Sequence, residues 1–376
     1  MEGLYVHIPF CRSRCVYCGF YSTTLLPLRQ RYVDALCREM RLREKGPLQT
    51  IYIGGGTPSL LSPAMLRQLF DSIRATYEVD WPHAEITMEC NPDDVTPEFA
   101  DSLAALPVNR VSMGIQTFSD QRLRFLHRRH DAAQARGAFR HLREAGFSNI
   151  SIDLMFGFPE ETLGEWEADI QEALSLGAEH ISAYSLMYEE GTPLHQWLES
   201  QKVEEIDEET YILMYETLVR KLTQAGYEHY EISNFALPGH RSRHNSSYWD
   251  GTPYIGLGAA AHSYTGIVRQ SNLSDVMGYM QSIEKGIVPM EEEELRPMDR
   301  YNDMVTTALR TSSGIPLAEV VSRFGQRYQD YLLENAQQAL DRGWMRIDEG
   351  RLHLTLSGIA VSDMVASDLI MLEDQT

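Results

Sequence analysis

Through the first two thirds of the chain, short apolar runs alternate with longer stretches in which apolar residues recur every three or four positions. The short runs are GLYVHI (Gly3 to Ile8), TIYIGG (from Thr50), AEITMEC (from Ala84), NRVSMGI (from Asn109), NISIDLMF (from Asn149) and EHISAYSL (from Glu179). They are rich in Ile, Val, Tyr and Met, and several read as apolar on both faces, which predicts strands of a covered parallel sheet. Between them, Pro27 to Arg43 places Leu28, Tyr32, Leu36 and Met40 four apart, the spacing of one helix face. Pro63 to Tyr77, Asp131 to Ala145, Thr162 to Leu176 and Asp207 to Ala225 follow the same period, with Ser62 before Pro63 as a natural helix start. Six βα units in succession predict an α/β architecture, a partial or complete (β/α)6 barrel.

The texture then changes. Glu231 to Tyr264 is rich in Gly, Ser, His and aromatics and shows little periodicity, which predicts an ordered, loop-rich segment over 231–290, since Tyr and Trp are poor linker residues. The run Glu291 to Glu294 marks a boundary and reads as a solvated face. Beyond it, at 295–376, come helices at Met298 to Leu309, Pro316 to Phe324 and Tyr328 to Gly343, then two strands around Glu349-Gly350. That is a winged-helix order. It invites a DNA-binding reading, but this tail holds eight Arg, no Lys and twelve Asp or Glu, and a groove-reading domain needs a basic face.

Composition sharpens the picture. The 376 residues carry a net charge of −21, which sets the chain against phosphate backbones and anionic lipid. No run is long enough to span a bilayer and the first residues lack the form of a signal peptide, so any membrane contact would be peripheral. Five cysteines, three of them clustered, suggest a reducing cytoplasm and a metal or redox role. Cys37 and Cys90 stand alone and are expected to pack as small hydrophobes.

The cluster is Cys11, Cys15 and Cys18 in CRSRCVYC, directly after the first strand. Three thiols allow a zinc knuckle completed from elsewhere, or an iron–sulfur cluster with one iron left open. Their place at a strand's carboxyl end is where α/β folds put active sites. The glycine-rich turn of IYIGGGTPS can bring backbone amides close to a ligand, and no Lys follows to make a phosphate loop. Glu89, Gln116 and Asp153 are each read as standing at or just beyond the C-terminal end of a predicted strand, so their side chains are expected to converge on one mouth.

HIPFCRSRCVYC resembles the signature of the radical S-adenosylmethionine (SAM) superfamily, with Tyr17 as the usual aromatic before the last cysteine. The resemblance implies a partial barrel and a [4Fe-4S] cluster on Cys11, Cys15 and Cys18. Its open iron would chelate SAM, which one electron cleaves into methionine and a 5′-deoxyadenosyl radical. By the same resemblance Gly55, Gly56 and Thr57 would meet the methionine moiety. Glu89, Gln116, Arg128 and Asp153 would line the SAM pocket, with Tyr5 near the cluster and Met155 beside the adenine. No single side chain is assigned a catalytic role.

The chain is similar from end to end to the radical SAM coproporphyrinogen III dehydrogenases and to a related group of heme chaperones. Three features favour the chaperones. Phe20 stands where the dehydrogenase has a fourth cysteine, only ten residues precede Cys11, and RHNSSYWDG resembles the chaperones' HNxxYW motif. The motif implies His244 as heme ligand, with Tyr248 and Trp249 as flat apolar surface and Arg241 and Arg243 for propionates; His240 and His262 are rivals. The implied partners are heme as cargo, an electron donor the sequence does not name, and a heme-accepting protein such as a respiratory one.

Overall fold

A computed structural model describes residues 3–372. Six parallel strands form its centre: β1 (Gly3–Ile8), β2 (Thr50–Gly55), β3 (Glu85–Cys90), β4 (Arg110–Gln116), β5 (Ile150–Phe156) and β6 (His180–Ser185). Helices α1 (Arg29–Leu42), α2 (Pro63–Thr76), α3 (Pro97–Ala104), α4 (Asp120–Phe125), α5 (Ala132–Glu144) and α6 (Leu163–Leu176) connect them, and α7 (Pro193–Glu199) and α8 (Glu208–Gln224) follow β6. Each α helix from α2 to α8 begins on a Ser, Thr or Asp whose side chain accepts a hydrogen bond from the first turn, the local signal that fixes where a helix starts.

The central strands are not apolar on both faces. Leu4, Val6 and Ile8 of β1, with Ile51, Ile53, Ile86, Met88, Val111, Met113, Ile150, Ile152 and Ile181, point one way into the helix layer and are fully buried there. The alternate residues, among them Tyr5, His7, Tyr52, Glu89, Ser112, Asp153 and Ser182, point the other way and hydrogen-bond among themselves. Period-two alternation thus divides an apolar packing face from a polar concave face. Helix-period apolar residues such as Tyr32, Leu36 and Met40 complete the core; truncating one to Ala costs about 2–5 kcal/mol.

The segment expected to be loop-rich is largely structured. It supplies β7 (Glu228–Glu231), β8 (Asn234–Ala236), α9 (Arg243–Trp249), β9 (Tyr254–Leu257), β10 (His262–Tyr264), β11 (Val268–Asn272), α10 (Val276–Glu284) and β12 (Met290–Glu294). The whole sheet runs β12-β11-β10-β9-β1-β2-β3-β4-β5-β6-β8-β7, an arc whose two end strands are not paired with each other among the described residues. Leu257, Tyr279 and Met280 join the barrel's own core. The strands here are short, so they carry too little alternation to show in the sequence. The acidic run Glu291–Glu294 is the exposed edge strand β12, and a charged edge resists pairing with another chain.

The tail comprises α11 (Pro297–Ala308), β13 (Ile315–Pro316), α12 (Leu317–Phe324), α13 (Gln326–Asp341), β14 (Met345–Asp348), β15 (Arg351–Leu354), α14 (Leu356–Ile359) and α15 (Ser362–Leu369). The winged-helix order is present, with a third strand and two closing helices that the sequence did not reveal. Its core around Tyr301, Val305, Leu332 and Leu352 is separate from the barrel's. Glu231, buried at the end of β7, holds Arg310 at 2.9 Å and docks the tail against the sheet.

Candidate functional site

Cys11, Cys15 and Cys18 lie half-buried in the loop that leaves β1. Backbone hydrogen bonds pin this loop: Cys11 N to Thr23 O at 2.9 Å, Thr23 N to Pro9 O at 2.7 Å, and Leu194 N to Val16 O at 3.0 Å. Val16 seats in an apolar pocket with Leu126, Met155, Phe158 and Leu194, so Met155 lies under the cysteine loop. Burial raises the thiol pKa of Cys11 and of Cys18. Phe20, at the loop's outer end, is 75% exposed. Cys37 and Cys90 pack in the core as expected.

The glycine turn after β2 abuts the cysteine loop. A Cβ on Gly56 would stand 2.9 Å from Phe10 O and 3.0 Å from Cys11 Sγ. Gly55 has φ of +111°, and a Cβ there would strike His7. Only glycine allows this close approach of backbone to the thiol. Thr57 Oγ1 donates to Cys11 Sγ at 3.6 Å and accepts from Asn91 Nδ2 at 3.5 Å.

Glu89, near the end of β3, accepts from Tyr52 Oη at 2.8 Å and from Gly55 N at 2.9 Å. Burial pushes its pKa up to about 7, against those two hydrogen bonds. Asp153 of β5 accepts from Ser112 Oγ at 3.4 Å, and burial lifts its pKa to about 6. Gln116 closes β4 beyond a register shift at Gly114, with φ of +72°. Such strain in a non-glycine residue clusters at functional sites. Arg128 donates through Nη2 to Asn91 Oδ1 at 2.9 Å and Gly114 O at 2.6 Å, and through Nη1 to Cys15 Sγ at 3.7 Å. Its Nε is buried without a partner among the described residues. The sequence-selected residues therefore converge on one mouth, except Tyr5, which lies deeper and bonds His7 Nδ1 at 2.9 Å.

The donor set suits the groups implied by the sequence. Among the described residues, no three His, Cys, Asp or Glu side chains are close enough to share one metal ion, whereas each thiolate of a four-iron cluster binds a different iron. Two buried carboxyls and a buried guanidinium with an orphan donor are costly unless a polar ligand completes them. Asn91 was missed in the sequence, although it stands two residues past Glu89. So were His7 and Ser112, which alternation from Tyr5 and Gln116 would have pointed to, and Ser182, which stands opposite Asp153 on the neighbouring strand.

His244 is elsewhere. It sits in α9, which plugs the opposite end of the concave face: Glu85 accepts from the backbone N of Arg243 and of His244, both at 2.9 Å. The imidazole is fully buried, with Nδ1 bonded to Thr50 Oγ1 at 2.8 Å and Nε2 to Tyr248 Oη at 2.9 Å. It stacks on Tyr52 at 5.2 Å, and burial lowers its pKa to about 3. Neither nitrogen is available to an iron in this arrangement, so the expected heme ligation would require α9 to leave its seat. His240 is half-buried, and His262 is exposed on β10.

Comparison with known proteins gives the family and the fold. The Radical SAM superfamily model matches residues 5–173 and the HemN C-terminal domain model residues 295–361. A protein named heme chaperone HemW from Bacillus subtilis is 36% identical over 365 residues, covering 95% of this chain and 96% of the relative. The Lactococcus lactis protein of the same name is 33% identical, covering 98% and 97%. The solved coproporphyrinogen III oxidase (HemN) of Escherichia coli, a radical SAM enzyme, superposes with a TM-score of 0.84 over 98% of this chain and 90% of that one, at 22% identity; at that distance the likeness is one of fold.

Proposed function

The chain belongs to the HemW family of radical SAM proteins, and from that premise we propose that it is a heme chaperone, binding heme and passing it to an acceptor protein. Full-length similarity to proteins of that name carries the reading. In it, Cys11, Cys15 and Cys18 hold a [4Fe-4S] cluster, and SAM occupies the mouth beside it. Loaded, that pair supplies one-electron cleavage of the SAM sulfonium.

The protein's own part is binding and orientation. The Gly55–Thr57 turn packs its backbone and the Thr57 hydroxyl against the cysteine loop that would hold the cluster, and Arg128 Nε is a donor without a partner among the described residues, suited to the SAM carboxylate. Asp153 suits a ribose hydroxyl, and Glu89 near neutral pKa can accept or donate a hydrogen bond. Met155 and the apolar floor around it exclude water from one side. The clustered free thiols suit a reducing compartment such as the cytoplasm, and no described helix is long and apolar enough to cross a membrane.

The rival activity is oxidative decarboxylation of coproporphyrinogen III, which the shared fold alone suggests. The two are separated in one preparation. The reduced, cluster-loaded chain with SAM is given coproporphyrinogen III, and the heme-loaded chain is given an apo-acceptor. Heme transfer without porphyrinogen conversion is the expected result; efficient conversion would replace the chaperone reading.

A further inference from the structure

A cavity of about 720 Å³ lies between the inner face of β9 and β10, the end of α9, and α11 of the tail. That volume is within the range of small-molecule sites, about 300–1,000 Å³. Its lining suits a flat ligand that carries anionic groups. Trp249, Tyr254 and Tyr264 present aromatic walls. Five arginines line it with three acids, Asp250, Asp303 and Glu319; Arg241, Arg269 and Arg323 are held in ion pairs, which leaves Arg300 and Arg351 without an ion pair among the described residues. Two donors on the lining, Trp249 Nε1 and Arg300 Nε, are buried and have no hydrogen-bond partner among the described residues; a native structure leaves few such groups unless a ligand completes them.

His262 also lines this cavity. It lies opposite Ser271 on the β10–β11 ladder, is exposed, and its imidazole makes no hydrogen bond to a described residue. The cavity adjoins the concave face through Tyr248, which lines it and bonds His244 Nε2 at 2.9 Å, that imidazole in turn stacking on Tyr52 of the face. The motif helix reaches the cavity through Tyr248 and Trp249, whereas His244 on the same helix faces away into Thr50.

Resting on the heme-chaperone reading above, we propose that this cleft is the heme site, with His262 as the iron ligand and the unpaired Arg300 and Trp249 donors on the propionates. The HNxxYW motif then builds the wall of the site, and His244 is the strut that holds the wall in place.

The test is hemin titration followed at the Soret band, with wild type, His262→Ala and the cavity-filling Thr307→Trp, circular dichroism and iron content being checked for each. The expected result is a shifted Soret band and affinity lower by roughly tenfold or more in His262→Ala, and a similar loss in Thr307→Trp. If wild type binds heme and both folded variants match it in spectrum and affinity, the cleft is not the site, while the chaperone reading stands. If Thr307→Trp weakens binding and His262→Ala leaves the spectrum unchanged, His262 is not the ligand. If wild type binds no heme, the chaperone reading falls and this site with it.

Discussion

Arg128 Nη1 lies 3.7 Å from Cys15 Sγ, while Nη2 of the same guanidinium donates to Asn91 Oδ1 at 2.9 Å. One buried cation therefore ties the cysteine loop to the strand-end residues that line the mouth. A lysine has one nitrogen and cannot span these partners. Arg128→Lys is expected to weaken SAM binding by about tenfold or more, a charged hydrogen bond being worth about 1.5–3 kcal/mol. Equilibrium dialysis against SAM, at matched iron content, reads this directly; unchanged affinity would remove Arg128 from the pocket.

Gly56→Ala would drive a methyl group against Phe10 O and Cys11 Sγ. The expected outcome is a folded chain that retains little iron after anaerobic reconstitution. Gly164→Ala, in α6 with open space around it, serves as the control and should keep full iron.

His244→Ala removes a fully buried ring and leaves Thr50 Oγ1 and Tyr248 Oη without their shared partner. A loss of about 2–4 kcal/mol in unfolding free energy is expected, read by urea denaturation. An exposed ligand histidine would cost about 0.5 kcal/mol or less. Because its folded pKa of about 3 lies below the ordinary 6.5, His244's contribution is present above pH 6.5 and is lost as pH falls toward 3.

Glu89 acts with the opposite sign. A carboxyl whose pKa rises from 4.5 to about 7 on folding holds its proton longer in the native state. Its contribution is present below pH 4.5 and is lost as pH climbs through about 7. In the ligand-free chain, Glu89→Gln is therefore expected to flatten the fall in stability across that window. A slope identical to wild type would mean that Glu89 is already ionised there.

The parts legible in the sequence were those set by local chemistry. Cysteine spacing, the triple glycine and the polar residues Glu89 and Gln116 near the ends of β3 and β4 each carry their signal within a few positions, whereas Asp153, expected at or beyond a strand end, stands in the middle of β5. What escaped was set by pairing over long distances. Residues 254–257 become strand β9 only because they add to β1 from more than 240 residues away. RHNSSYW starts as a helix on the Ser242 cap, whose side chain accepts from Asn245 N, but its seat is fixed by Glu85 of β3, which accepts from its first amides and which no local pattern announces. The residue that most looked like a ligand, His244, proved to be the buried one, since burial is not written in a motif.

The claim beneath all of these is that Cys11, Cys15 and Cys18 hold a four-iron cluster with one iron left for SAM. Electron paramagnetic resonance of the dithionite-reduced, anaerobically reconstituted chain, recorded before and after SAM is added, tests it directly. About four irons per chain and a cluster signal that shifts on adding SAM are the expected result. A colourless chain holding one zinc, or a cluster signal that SAM leaves unchanged, would contradict it.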